Sequence, residues 1–169
     1  SGGYDILGYA NELPPAYIDQ VLADPATSVD NGMFDKITVS VGGQVAFEGE
    51  DLLGNEQTVY NPLLGFDEDF LTDNQFELTE WAEEYDSEAE VWAALAEDND
   101  TVLIDTSMRP NEYGAPYGTV IVELGDTLEL VGRDNATHPK KVIGVISSFL
   151  IRGIVGNRDM VRDDFGFEN

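Results

Sequence analysis

The longest uncharged apolar run in this 169-residue sequence is VIGVISSFLI, residues 142–151, which lies between Lys141 and Arg152. A helix needs about 20 apolar residues to cross a bilayer, so this run is too short to form a membrane span. It is rich in β-branched residues, which favour strands. A second β-rich run, TVIVELGDTLELVG, precedes it and is joined to it by the polar segment RDNATHP. Together the two runs predict a β-hairpin in the core.

Side chains of a regular strand alternate between the two faces of a sheet. In the second strand of this hairpin, alternation predicts Ile143 and Val145 on one face. Val142 and Ile146 should then lie on the other face, with Gly144 as a gap beside them.

The first part of the chain mixes short strand and helix patterns. GYDILGYA, residues 3–10, predicts a strand in the same buried sheet, and PPAYIDQVLAD predicts a helix that begins at Pro14 and Pro15. DKITVSVGGQVAFEGE contains two β-rich runs on either side of Gly42 and Gly43. This pattern predicts a tight hairpin with its turn at the two glycines.

Further elements follow in the middle of the chain. QTVYN predicts a short strand, and the acidic segment after it predicts a short helix and a loop. SEAEVWAALAED predicts a helix capped by Ser87 and Glu90, and DTVLIDT, residues 100–106, predicts a buried strand. We therefore expect an α+β fold: a mixed β-sheet with hairpins and two or three helices, in one lobe or two. Residues 1–169 are expected to form a single domain.

Charge is the most unusual property of the chain, because 34 acidic and 8 basic residues give a net charge of −26. Repulsion among the acids is screened at molar salt, where the Debye length is about 3 Å, so the composition points to a salt-loving organism. Nucleic acids and anionic lipid surfaces would be repelled, and neither is an expected partner. Residues 1–108 carry 25 acids and one base, whereas residues 109–169 carry 9 acids and 7 bases. The near-neutral second part indicates a covered surface or simple unevenness.

Motifs of catalysis and cofactor binding are missing from the sequence. It has no cysteine, no Walker or HExxH sequence and no glycine-rich phosphate loop. His138, the one histidine, precedes a proline in a polar turn, and no serine stands on a nucleophile elbow. Asp67 and Asp69 match the first two ligands of a calcium loop, but the pattern then fails. We expect no catalytic residue, no cofactor site and no metal site.

Two features have both a structural and a functional interpretation. Asp105 ends the buried strand, where α/β enzymes often place a carboxylate, although capping the next loop is the commoner role for such an acid. Asn99-Asp-Thr101 and Asn135-Ala-Thr137 have the form of N-glycosylation acceptors, which matter only in an exported chain.

The candidate partner contact is the loop SMRPNEYGAPYG. It contains Arg109, Tyr113 and Tyr117, and both residue types are enriched at interfaces. A packed loop with structural tyrosines is the alternative interpretation.

Four segments, in order, resemble the extracytoplasmic domain of FtsX-like ABC transporter permeases, the group that includes MacB-like and lipoprotein-releasing systems. GGYDILGYANELPP resembles the segment that leaves the first membrane helix, and LLGFDEDFL resembles a turn after a β run. SEAEVWAALAEDNDTVLIDTSM is similar to the helix that leads into a strand ending in an acid, and GDTLELVGRDNATHPKKVIGVISSF to the glycine-aspartate hairpin. The missing membrane helices, the acidity and the terminal RDMVRDDFGFEN depart from the family pattern.

The resemblance implies a non-enzymatic, MacB-like periplasmic core domain, excised from between two transmembrane helices on the extracytoplasmic side of the cell membrane. Both chain ends would then face the same membrane. The domain would transmit ATPase-driven motion or contact cargo, without a cofactor. Its implied partners are a cognate ABC ATPase, reached through the membrane part of the permease, a second permease subunit, and a lipoprotein or other exported cargo.

Two alternatives to this function are a free-standing secreted or lipid-anchored binding domain, and a halophilic hydrolase. The hydrolase would need a convergent pair of carboxylates, with Asp105 as one candidate.

Overall fold

The structure, a computed structural model, describes residues 38, 40–74, 76–109, 120–148 and 150–167. Within these ranges the chain forms seven β-strands and three α-helices. The strands are β1 (Val41–Glu50), β2 (Glu56–Phe66), β3 (Glu77–Trp81), β4 (Thr101–Asp105), β5 (Thr127–Val131), β6 (Thr137–Ser147) and β7 (Ile154–Asn157). The helices are α1 (Glu68–Thr72), α2 (Glu88–Glu97) and α3 (Arg158–Phe165), and a 3₁₀ helix (Thr106–Met108) follows β4. The strand predicted at residues 3–10 and the helix predicted at Pro14 lie outside the described residues.

The seven strands form one mixed sheet in the order β3-β6-β4-β7-β2-β1-β5. β2 pairs with β7, and β4 with β6, in parallel, whereas the other neighbours are antiparallel. Because β5 also pairs with β6, six of the strands close into a ring, and β3 lies outside the ring beside β6. The fold is therefore α+β and built mostly from strands, as predicted.

Each face of the sheet carries a hydrophobic core. The inner core fills the ring with side chains from its six strands and from α3, among them Val45, Leu63, Ile104, Leu130, Val145 and Met160. The outer core lies between the sheet and helices α1 and α2, and includes Phe70, Trp92, Leu95, Leu103 and Ile146. None of the helices in the described ranges is long and apolar enough to cross a membrane.

The capped helix and the C-terminal hairpin are confirmed. Ser87 is the N-cap of α2, and its hydroxyl accepts a hydrogen bond from the Glu90 backbone N–H. The Glu90 carboxylate accepts from the backbone N–H of Asp86 at 2.9 Å, one residue earlier than a capping box requires. β5 and β6 pair as an antiparallel hairpin that closes at Val131 and Thr137. The two short strands predicted before and after α2 correspond to β2 and β4, and the predicted short helix corresponds to α1. The loop predicted after that helix is wrong in part, because it contains strand β3, which pairs with β6.

The hairpin turn predicted at Gly42 and Gly43 is wrong, because β1 runs straight through both residues. Neither glycine has a positive φ, and the turn instead falls after β1, where Gly54 has a φ of +76°. Close packing explains the two glycines. A Cβ on Gly43 would lie 2.6 Å from the ring of Phe167, and one on Gly42 would lie 2.6 Å from the Leu63 carbonyl oxygen.

The regular alternation predicted for β6 is also wrong. Val142 and Val145 both face the inner core, whereas Ile143 and Ile146 face the outer core. The cause is a bulge, since the pairing of β4 with β6 shifts by one residue just after Val142. At the bulge, two successive residues of β6 therefore face the outer core, whereas regular alternation would place them on opposite faces of the sheet.

Candidate functional site

The tip between β1 and β2 is a short loop organised by one carboxylate. The side chain of Asp51 accepts hydrogen bonds from the backbone N–H groups of Leu53, at 2.8 Å, and Asn55, at 3.0 Å. It also accepts from the side-chain amides of Asn55 and Gln57. The backbone hydrogen bond from Asn55 is the main reason that the pKa of Asp51 is lowered. This carboxylate thus links the two sides of the loop through hydrogen bonds.

The tip presents two leucines to solvent. The side chains of Leu52 and Leu53 are 56% and 68% exposed, and Tyr60, further along β2, is 74% exposed. In the described ranges these three are the large hydrophobic residues that are exposed to solvent. Residues 41–66 contain four acids and no base. The hairpin tip, residues 51–55, thus exposes apolar side chains, whereas the charged residues of the hairpin are all acidic. Exposed apolar side chains of this kind suit contact with another molecule.

The hairpin tip lies far from the point where the described chain ends. Phe167 packs against Gly43 near the start of β1, so the beginning of β1 and the last described residues share one end of the sheet. Strand β1 runs from Val41 to Glu50 at about 3.3 Å per residue, which places the tip about 30 Å away. The exposed leucines therefore lie at the opposite end of the described sheet.

Sequence reasoning missed the hairpin tip because it assigned the turn to the two earlier glycines. A signal was present in GEDLLGNEQ, where an aspartate is followed within four residues by glycine and asparagine, between two β-rich runs. Asp, Gly and Asn are favoured in turns. Leu52 and Leu53, inside that turn signal, could have been recognised as exposed.

Arg109, the described member of the candidate partner contact, braces two parts of the chain. It follows the 3₁₀ helix, and its guanidinium forms ion pairs with Glu80 of β3, at 2.8 Å, and with Glu123. It also donates to the carbonyl oxygen of Val122 at 3.1 Å. Burial disfavours the charged form, but hydrogen bonds to Glu123 and Glu80 outweigh it and raise the pKa of Arg109. Tyr113 and Tyr117 lie outside the described residues, so partner contact through these three residues stays a prediction.

Asp105 has a structural role. It is 2% exposed, its carboxylate accepts hydrogen bonds from the backbone N–H groups of Ser107 and Gly153, and its own N–H donates to the Gly153 carbonyl at 2.9 Å. These contacts cap the 3₁₀ helix and tie the end of β4 to the start of β7. Capping, the commoner role for such an acid, is the one observed.

The other candidate ligands and bases are also accounted for by packing. Asp67 caps α1 by accepting from the Phe70 N–H at 2.8 Å, and it pairs with Arg158 at 2.9 Å. His138 was expected in a polar turn, but it is the second residue of β6 and is partly buried, with its ring 4.8 Å from the ring of Phe165. Across the ranges that the structure covers, no group of three or more acidic, histidine or cysteine side chains could hold a metal ion.

Comparison with known proteins identifies the fold. No protein-family model matches the chain, and no curated protein matches it. The structure is similar to the extracellular domain of the noncanonic ABC-type transporter YknZ from Gram-positive bacteria, with a TM-score of 0.53 and 13% identity over 92% of this chain and 68% of that one. A domain assigned to a permease protein of Porphyromonas gingivalis has a TM-score of 0.39 and 16% identity over 70% of this chain and 45% of that one, which is too distant to support an argument.

At 13% identity the similarity to the YknZ domain establishes the fold alone. The fold similarity agrees with the resemblance to ABC transporter permease domains seen in the sequence. The chain has the fold of an ABC-transporter extracellular domain.

Proposed function

We propose that this chain is the extracytoplasmic domain of an ABC transporter permease, with residues 1–169 forming one domain between two transmembrane helices. The observation that carries the proposal is the similarity to the YknZ extracellular domain over 92% of the chain. The order of the FtsX-like and MacB-like segments in the sequence supports the same assignment. In this proposal the domain resides at the cell membrane, on its outer side.

The end of the described chain bears on the orientation of the domain, whereas residues 3–10, which the proposal places beside it, lie outside the described residues. A domain inserted between two membrane helices must enter and leave at the end that faces the membrane. The start of β1 and Phe167 lie at one end of the sheet, and the hairpin tip lies about 30 Å away at the other end. The hairpin tip would then point away from the membrane.

In this proposal the domain transmits motion or recognises cargo, and it is not an enzyme. The cognate ABC ATPase would act through the membrane part of the permease, beside a second permease subunit, and the cargo would be a lipoprotein or another exported substrate. For contact with cargo we assign the hairpin tip, where Leu52 and Leu53 offer apolar surface. Against the hydrolase alternative, the Asp105 carboxylate is engaged by backbone N–H groups in the fold.

A labelling experiment tests the location of the domain. The given chain has no cysteine, so Leu53→Cys adds one exposed thiol to it. In intact cells that produce the full-length protein, we expect this thiol to react with a membrane-impermeant maleimide to the same extent as in lysed cells. Val102→Cys, at a fully buried position, should react only after denaturation, and the unsubstituted full-length protein gives the background.

Two results would contradict the proposal. Labelling of Leu53→Cys only after lysis would place the domain inside the cell. Labelling in intact cells, together with release of the full-length protein from membranes without detergent, would favour the free-standing secreted domain. A lipid-anchored domain would need detergent but would lack the flanking transmembrane helices.

The acidity of the chain supports a halophilic source, and this too is a proposal. A net charge of −26 repels itself at low ionic strength, and salt screens that repulsion. We expect the melting temperature of the purified domain to rise by several degrees between 50 mM and 2 M KCl, since 1 kcal/mol corresponds to about 3 °C in a domain of this size. Circular dichroism measures the transition, and a melting temperature that does not respond to KCl would contradict the proposal.

A further inference from the structure

The two Asn-x-Thr triplets of the chain have the same sequence form, but the structure places them in different settings. One begins at Asn99, in the turn between α2 and β4, and the other at Asn135, in the turn between β5 and β6. Attachment of a glycan needs a free asparagine amide in an accessible segment, and the hydroxyl two residues later must also be within reach of the enzyme. The structure therefore allows a choice between the triplets that the sequence does not.

The triplet at Asn99 is occupied by contacts within the fold. The Asn99 side-chain oxygen accepts a hydrogen bond from the Asn157 amide at 2.9 Å, and its backbone carbonyl accepts from Lys140 Nζ at 2.8 Å. Thr101 is 4% exposed, and its hydroxyl donates to the carbonyl oxygen of Asp98 at 3.0 Å. Asn99 itself is exposed, but the Thr101 hydroxyl at the other end of the triplet cannot be reached without opening the turn.

The triplet at Asn135 is open at both ends. Asn135 is exposed and has a φ of +58°, and its side chain makes no hydrogen bond within the described part of the chain. Asp134 stabilises the turn by accepting from the Ala136 N–H at 3.0 Å. Thr137 is also exposed, at the first position of β6.

We infer that Asn135 is an N-glycosylation site and that Asn99 is not. The inference rests on the proposed extracytoplasmic location, because the donor for such a transfer is a glycan joined through phosphate to a membrane lipid. In the reaction a bond forms between Asn135 Nδ2 and C1 of the first sugar, and the bond between C1 and the phosphate oxygen breaks. The lipid phosphate leaves with that electron pair, and Nδ2 loses one proton to the transferase.

Mass spectrometry of the full-length protein, purified from the cells that produce it naturally, tests the site. Trypsin cleaves after Arg133 and Lys140, so a short peptide contains Asn135 and excludes Asn99. We expect this peptide to carry a glycan and the Asn99 region to be unmodified. Thr137→Ala should abolish the modification, Thr137→Ser should retain it because the hydroxyl remains, and Asn99→Gln should leave it unchanged.

The results separate this inference from the proposed function. A bare Asn135 in cells where Leu53→Cys reacts with the impermeant maleimide would overturn the inference and leave the proposed location intact. A bare Asn135 together with an inaccessible Leu53→Cys would overturn both. Modification of Asn99, or a glycan that persists in Thr137→Ala, would also overturn the inference. Asn135→Gly is a second variant that removes the amide, and it should fold because glycine tolerates a positive φ.

Discussion

Gly153→Ala is expected to lower the free energy of unfolding by about 3 kcal/mol, the largest effect of any substitution considered for this chain. Gly153 has a φ of +89°, which side chains with L chirality rarely adopt. A Cβ at this position would also lie 2.3 Å from the carbonyl oxygen of Pro62, a backbone atom that cannot move aside easily. The substitution would disturb the start of β7, where Gly153 N–H and C=O both bond to Asp105.

Gly125→Ala is the matched control. Gly125 has a nearly identical φ of +87°, but a Cβ there would meet no atom within 4 Å. It should therefore show only the cost of the backbone conformation, about 1 kcal/mol. Denaturant unfolding of both variants at molar KCl measures the difference. Equal losses would show that the close approach to Pro62 contributes nothing.

Lys140→Met is expected to lower the free energy of unfolding by about 2 kcal/mol. Lys140 is 2% exposed, and its ammonium group contacts Asp164 of α3 at 2.5 Å and the Asn99 carbonyl at 2.8 Å. Asp100 lies 3.3 Å from the same ammonium group. Methionine has a similar length, so little cavity forms, but these acceptors lose their shared donor. The loss stays at the lower end for a buried ion pair because Asp164 is 29% exposed and Asp100 is 82% exposed, so water partly replaces the lysine.

Lys141→Met provides the control at the adjacent position. Lys141 is 44% exposed, and its ion pair is with Glu84 on the surface. The hydrogen bond to Glu84 raises the pKa of Lys141, but solvent screens such a pair, so stability should hardly change. Both variants remove one positive charge from a chain of −26, and the change in overall repulsion is therefore the same. If the two variants unfold at the same denaturant concentration, the buried contacts of Lys140 do not stabilise the fold more than the surface ion pair of Lys141 does.

The elements that could be predicted are those whose signals are local. The cap at Ser87 and the apolar positions that follow it lie within a few residues, and α2 forms where they indicate. The same holds for β4, in which three successive apolar residues, 102–104, indicate a buried strand, and for the hairpin of β5 and β6. The acid at the end of β4 was also assigned its commoner role, capping, and Asp105 makes those bonds.

Two of the errors arose where distant parts of the chain meet. Gly42 and Gly43 have the sequence of a turn, but their side chains are absent to admit Leu63 and Phe167, which come from other parts of the chain. The bulge in β6 depends on its pairing with β4, some 40 residues earlier in the sequence. Neither neighbour can be read from the residues next to the glycines or the bulge.

The candidate site shows the same division. The residue types in the predicted contact loop suit an interface, yet the Arg109 guanidinium forms an ion pair with Glu80 of β3, which is distant in sequence. The exposed leucines at the hairpin tip became visible only when the turn was located. The choice between the triplets at Asn99 and Asn135 likewise depends on the burial of Thr101, which the sequence of the triplet does not show.

By itself the sequence determined the class of fold, the excess of acid, the local caps and strands, and the lack of a long apolar run. These properties depend on composition and on neighbours within a turn or two of the chain. The tertiary structure decided the closure of six strands into a ring, the position of the hairpin tip, the burial of Lys140 and the accessibility of Asn135. Each of these depends on strand pairing and packing between residues far apart in sequence, where the loss of water and the fit of side chains determine which contacts form.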